Sequence, residues 1–209
     1  ADVADELQVE AVLERAAQTF GPVDVFCANA GIGTGMGLEA PDDVWDAILN
    51  VNVRAHVIAA RQLVPGWIER GEGYFVATAS AAGLLSQIGD APYSVTKHAA
   101  VAFAEWLSIT YGDAGVRVSC LCPMGVRTPL VLNGLKLEGP QGLGARVVEA
   151  SGKLLEPDDV AGNVVDTMRE ERFLVLPHPE VLEYLRHKGT DYDRWLAGMR
   201  RLQAHIVGS

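Results

Sequence analysis

A parallel α/β sheet with helices packed on its faces is the fold class this sequence predicts. Three observations predict it. Four short, largely apolar runs recur along the chain, at 23–29, 73–79, 116–122 and 172–177. A helical pattern separates each run from the next. The runs lack strict apolar–polar alternation, which fits strands buried on both faces. Strands that alternate with helices give parallel layers joined by right-handed crossovers. At 209 residues, 49% hydrophobic and 21% charged, the chain suits one domain with a sizeable core.

Residues 5–20 read as an amphipathic helix. Asp5 can cap it, with Gln8 three residues on, and Val9, Val12, Leu13, Ala16 and Phe20 form its apolar stripe. Gly21-Pro22 stops it, and residues 23–29 form the first strand. Asn29-Ala30-Gly31 follows, with Gly33, Gly35 and Gly37 behind it. These mark either a plain turn or a flexible loop at the C-terminal end of a strand, where open α/β sheets bind ligands. Residues 41–70 carry a long helical pattern, which Pro65-Gly66 is expected to bend or end. Asn52 interrupts its apolar face and is either a satisfied core amide or a site residue.

The second strand, 73–79, leads into Ser80. Residues 92–111 form a helix whose Ala99, Ala100, Ala102 and Ala104 permit close packing, and 116–122 form the third strand. Residues 129–152 mix apolar side chains with glycines. An irregular segment of this kind is a lid or a loop packed on the core. A helix at 157–168 with an acidic start and a fourth strand at 172–177 complete the pattern. Residues 178–206 read as mostly helical, broken near Gly189, with Tyr184, Tyr192, Trp195, Leu196 and Met199 free to dock on the body or a neighbouring subunit. The chain divides into a domain at 1–177 and a helical extension at 178–209.

The formal charge of −10 argues against nucleic acid and anionic membranes as partners. No apolar run approaches the ~20 residues that span a bilayer. Cys27, Cys120 and Cys122 sit in apolar runs and read as buried, reduced thiols of a cytoplasmic protein. The five histidines form no metal-ligand pattern, so no metal is expected.

The chemistry concentrates between Thr78 and Lys97. Pro92 favours a helix start, so Tyr93 and Lys97 fall one turn apart on the same face. A free tyrosine titrates near pH ~10. An adjacent ammonium is expected to lower that value and bring the phenol into catalytic range. Ser80 can donate a second hydrogen bond to the same reacting oxygen.

The order and spacing of Asn29-Ala30-Gly31, Asn52, Ser80, Tyr93, Lys97 and the segment Pro123 to Thr128 resemble the short-chain dehydrogenase/reductase family. The resemblance extends to about residue 177. It implies a Rossmann-type, doubly wound sheet and an NAD- or NADP-dependent interconversion of a secondary alcohol and a ketone. Tyr93 would be the acid/base, Ser80 would polarise the substrate oxygen, and Lys97 would tune Tyr93 and bond the nicotinamide ribose. Asn52 would anchor a water in the proton relay. Asn29, Ala30 and Gly31 would lie beside the cofactor, and Pro123, Val126 and Thr128 beside the nicotinamide. Asp2-Val3 resembles the end of a strand whose aspartate faces the adenine. A homodimer or homotetramer is expected, acting on a small, apolar alcohol or ketone.

Ala28 and Met124 depart from the family pattern, which has asparagine and glycine there. The resemblance also implies a phosphate loop and three N-terminal strands ahead of Ala1, about 60 residues of the doubly wound sheet. Strand 23–29 supports that expectation, because its apolar character suits an interior strand and not an edge. A second function class is a non-catalytic or truncated relative that serves as an interaction or oligomerisation module.

Overall fold

The computed structural model describes residues 1–208. The first helix, α1 (Glu6–Phe20), begins where its cap residue stands. Asp5 Oδ1 accepts from the Leu7 and Gln8 N–H groups at 3.0 and 3.3 Å, and Gln8 Nε2 donates back to Asp5 Oδ2 at 2.9 Å. Two orphan donors of the first turn are thereby satisfied. The apolar stripe is less covered than its pattern suggests. Val9 is buried and Leu13 half-buried, but Phe20 is 89% exposed.

Four parallel strands form one sheet in the order β1-β2-β3-β4. They are β1 (Val25–Ala28), β2 (Gly73–Thr78), β3 (Val116–Leu121) and β4 (Leu174–Val175). The fourth is shorter than its apolar run. Two residues pair, Leu174 with Cys120 and Val175 with Leu121. β1 was expected to be buried on both faces and is not. It pairs on one side only, with β2, and leaves Val25 and Cys27 exposed. Of the three thiols, Cys120 and Cys122 alone are buried as expected.

The helical run 42–70 departs from its sequence pattern twice. It opens as α2 (Asp42–Leu49), widens into a π turn over Asn50–Arg54, and continues as α3 (Ala55–Arg70). The Ala55 N–H bonds Asn50 O, five residues back. Such π turns gather at functional sites. Pro65 does not end the helix. Leu63, Val64 and Trp67 on both sides of it are buried in one core, and the Trp67 indole donates to Val23 O at 2.7 Å. Packing outweighs the lost backbone bond, and the chain leaves the helix only at Gly71, with φ 75. Gly73 then passes under Trp67 so closely that a Cβ there would lie 2.1 Å from the indole.

The helix α4 (Ala91–Tyr111) lays Ala100 and Ala104, both fully buried, against the sheet. With Phe75, Ala77, Val116, Val118 and α3, it forms the main core. The segment expected to be irregular holds two helices, α5 (Pro129–Gly134) and α6 (Leu143–Ala150). Pro129 pre-sets the first helical residue of α5, which the glycine count obscured. After α7 (Pro157–Arg169) and β4 come α8 (Glu180–Thr190) and α9 (Tyr192–Gly208). The break expected near Gly189 falls at Asp191. Asp191 leaves helical geometry at φ −149 and caps α9 by accepting from Arg194 N–H at 2.9 Å. Val181 joins the main core, with Tyr184, Leu185 and Trp195 against it. Among the described residues no helix is long and apolar enough to cross a membrane.

His56 is the odd member of this core. It is 1% exposed, sits edge-on to Phe75 at 6.2 Å, and has no hydrogen-bond partner at either ring nitrogen among the described residues. Burial, with Lys97 as a second cause, pulls it down to about 4. The unfolded chain therefore takes up a proton below pH ~6.5 that the fold refuses until pH about 4, so stability falls as pH drops through that window. We expect this one group to cost about 2 kcal/mol between pH 7.5 and pH 5. Urea midpoints at the two pH values should show that loss in the wild type and a smaller one in His56→Leu; equal losses would refute the assignment.

Candidate active site

Tyr93 and Lys97 lie on the first turns of α4, under the C-terminal ends of β1, β2 and β3. Asp90 caps the helix through Tyr93 N–H at 3.0 Å, so the tyrosine enters at a fixed angle. Lys97 is 3% exposed. Its Nζ donates to Thr78 O, the last residue of β2, at 2.9 Å, and stands 5.5 Å from the centre of the Tyr93 ring. Burial pulls Lys97 down to about 8, against the raising influence of the Cys120 and Cys122 thiols. The ammonium therefore persists at neutral pH and is lost as pH rises through about 8.

Ser80 follows β2 and opens a single 3₁₀ turn, Ala81–Gly83. Its Oγ accepts from Ala82 N–H at 3.1 Å and lies within bonding reach of the Tyr93 phenol. Pro123 O receives Ala81 N–H at 2.9 Å, which ties the end of β3 to the serine turn. The phenol is not lowered as expected. Burial pushes it up, the Ser80 bond draws it back, and Asp90 and Cys122 push it up further. Desolvation of the buried phenol is the largest cause, and Lys97, which donates to Thr78 O and stands 5.5 Å from the ring centre, is not among the groups that lower it. Tyr93 is thus a protonated acid at neutral pH.

Asn52 is fully buried on the π turn. Its Oδ1 accepts from Ile32 N–H at 2.9 Å, and its Nδ2 donates to Ile32 O at 2.9 Å and Thr96 Oγ1 at 3.1 Å. The side chain is thus a satisfied amide that fastens the loop after β1. Asn29 Oδ1 accepts from Thr78 Oγ1 at 3.1 Å, joining β1 and β2 at their ends. Gly31 passes between the two groups: a Cβ there would sit 3.3 Å from Lys97 Nζ and 3.4 Å from Asn52 Oδ1.

The loop at 31–37 is held down. Asp90 Oδ2 accepts from the N–H groups of Thr34 and Gly35, both at 2.7 Å, and Oδ1 from Thr34 Oγ1 at 2.7 Å. With the Tyr93 cap this buried carboxylate receives four donors. Sequence reasoning missed Asp90, although an aspartate just before Ala91-Pro92 is a cap signal. It missed His178 as well. Its Nδ1 accepts from Met124 N–H at 3.2 Å, which leaves Nε2 to donate to Lys153 O at 3.1 Å. No local pattern marks that contact, which spans 54 residues.

Val126 is buried and bridges to Leu155, while Thr128 N–H closes onto Val126 O at 2.7 Å. Asp2 and Val3 stand in the turn before α1. Asp2 Oδ1 accepts from Ala4 N–H at 2.9 Å, and Asp2 N–H donates to Gln8, so its bonds are local. A cavity of about 340 Å³ opens beside Ser80, walled by Met124, Val147, Val148, Trp195 and Leu202.

Asp90→Asn replaces one carboxylate oxygen by a donor that faces N–H groups. We expect a stability loss of about 2 kcal/mol, read as a lower urea midpoint at unchanged slope. Faster proteolytic cutting within 33–38 should accompany it; an unchanged midpoint would show that the clasp carries no net stability.

The sequence model of the family described as short chain dehydrogenase matches residues 1–135. A 1-deoxy-11-beta-hydroxypentalenate dehydrogenase of Streptomyces exfoliatus is 34% identical over 195 residues, covering 91% of this chain and 68% of the relative. A 3beta-hydroxysteroid dehydrogenase 2 of Eggerthella lenta is 35% identical over 130 residues, covering 61% of this chain and 50% of the relative. The chain thus spans between half and about two-thirds of the length of these curated relatives. A crystal structure of a short chain dehydrogenase/reductase from Burkholderia phymatum, in complex with NAD, superposes with a TM-score of 0.80 at 32% identity, over 92% of this chain and 74% of that one. The parallel sheet, the Ser80–Tyr93–Lys97 cluster and these matches agree: the chain belongs to the short-chain dehydrogenase/reductase family.

Proposed function

We infer that the chain carries the proton-transfer site of a cytoplasmic NAD- or NADP-dependent oxidoreductase that interconverts a secondary alcohol and a ketone. The observation that carries this reading is the convergence of Ser80, Tyr93 and Lys97 at the C-terminal end of one parallel sheet. The names of the two curated relatives support a hydroxyl-bearing substrate, and the NAD complex of the solved relative supports the cofactor. The cavity beside Ser80 supports an apolar substrate.

The chain's own packing fits the nicotinamide half of such a cofactor. Gly31 lies beside Lys97 and Asn52 without a side chain to crowd them, and the family resemblance adds Pro123, Val126 and Thr128 as nicotinamide contacts. The phosphate half finds no cradle in the 31–37 loop. Gly31, Gly35 and Gly37 have a Gly-x-x-x-Gly-x-Gly spacing, but Asp90 consumes the Thr34 and Gly35 N–H groups. The next helix opens on Asp42 and Asp43, which repel phosphate. In this reading the phosphate-binding strands pair with the free edge of β1, where Val25 is 46% exposed.

The bound nicotinamide supplies or accepts the hydride. In reduction, Tyr93 gives its phenolic proton to the substrate oxygen as the carbonyl carbon gains the hydride. Ser80 Oγ holds that oxygen while charge builds on it. Lys97 offsets the negative charge left on Tyr93 and, with Asn52, lines the route by which the proton returns. In oxidation the same proton travels from the alcohol to the Tyr93 phenolate. A homodimer or homotetramer is part of the reading, supported by Trp106 and Ile109 on the outer face of α4, exposed at 51% and 84%.

Tyr93→Phe should lower turnover by about 10²–10⁴-fold and leave the melting curve in place. Retained activity would sink the assignment, whereas absence of NADH and NADPH binding by the wild type would favour the interaction module. Because Lys97 loses its proton as pH rises through about 8, ketone reduction should decline above that pH. A kcat/KM profile still flat at pH ~10 would contradict a role for the ammonium.

A further inference from the structure

A second cavity, of about 570 Å³, lies between the 35–39 loop, the segment 85–91 and α9. It shares Leu85, Ser86, Gln87, Trp195 and Met199 with the cavity beside Ser80, so the two adjoin across one wall. Leu143, Leu196 and Ile88 make its lining largely apolar. Lys188 stands in that lining and is only 8% exposed.

Its ammonium donates to Leu84 O at 2.8 Å and Leu85 O at 2.9 Å, and sits 5.5 Å from the Tyr192 ring centre. An ammonium has three protons to donate, and two are used. Among the described residues no carboxylate pairs with it. Two acids line the same cavity, and each is hydrogen-bonded by other groups. Asp90 holds four donors, and Glu39 accepts from Gly37 N–H at 2.8 Å. A buried cation that no carboxylate touches is costly to keep. One carboxylate oxygen entering the cavity beside Lys188 would take the third proton in a strong, charge-assisted bond.

We propose that this cavity binds the carboxylate of a compact apolar acid, with Lys188 as the group that recognises it. The site then takes a hydrophobic skeleton with an anionic end, and its adjacency to Ser80 makes it a substrate subsite. The substrate assignment rests on the function inferred above; the binding site does not. The enzyme's alcohols and ketones are, on this account, hydroxy acids and oxo acids of apolar character.

Binding is the test, because it needs neither cofactor nor turnover. The probes are 1-adamantanecarboxylate and its neutral counterpart 1-adamantanemethanol, titrated into the full chain by calorimetry. The wild type should bind the carboxylate at least about tenfold more tightly, and Lys188→Met, checked for folding by circular dichroism, should lose that preference. Equal affinities in the wild type, no binding of either probe, or a preference that survives in folded Lys188→Met would each overturn the proposal. If Lys188→Met does not fold, the ammonium nitrogen resonance of Lys188 in the wild type decides. It should shift with the carboxylate and hold still with the alcohol; no shift with the carboxylate overturns the site. Failure of ketone reduction with preserved carboxylate preference would count against the proposed reaction alone.

Discussion

Lys97 keeps its ammonium inside the protein on one backbone carbonyl, and much of the site's geometry follows from that constraint. The Thr78 carbonyl lies at the C-terminal end of a parallel strand, so the bond fixes α4 against the sheet at one height. Tyr93, one turn earlier, is thereby set beside Ser80. Gly31 passes close by, where a Cβ would press on the Lys97 ammonium at 3.3 Å. Asn52 fastens the next residue, Ile32, from the opposite side. The π turn that carries Asn52 lets its amide meet the backbone of that loop. A straight α-helix would rotate the same side chain to another bearing.

Two more buried charges hold the surrounding segments. Asp90 clasps the 31–37 loop onto the start of α4, while Lys188 brings α8 onto the turn behind Ser80. They differ in one respect. Asp90 receives as many donors as a carboxylate accommodates, so it serves as a structural clasp. Lys188 holds two neutral acceptors beside a largely apolar cavity and touches no carboxylate among the described residues, which leaves one of its protons for the proposed ligand. This difference in satisfaction, more than burial itself, separates a scaffold residue from a recognition residue.

Much of the architecture was legible because its signals are local. The Asp5 cap, the apolar strand runs and the Pro92 helix start each occupy a few consecutive residues, and each recurs in the structure with boundaries moved by a residue or two. The four residues assigned to the chemistry were likewise visible as types at a spacing. What misled was also local. Pro65 reads as a bend or an end, yet the helix runs through it, because buried neighbours outweigh intrinsic preference. The apolar run of β1 reads as an interior strand, and within this chain it pairs on one side, with β2.

The sequence by itself determined the fold class and the order of strands and helices, since periodicity is a property of adjacent residues, and its resemblance to the family pointed to Ser80, Tyr93 and Lys97. Tertiary structure alone decided that Lys97 spends its bond on Thr78, that the Tyr93 phenol is pushed up rather than down, and that Asp90, His178 and Lys188 matter at all. Those outcomes depend on desolvation and on contacts between residues 19 to 104 positions apart. A pattern along the chain does not encode which side chains burial will strip of water, and that is what sets their charges and their partners.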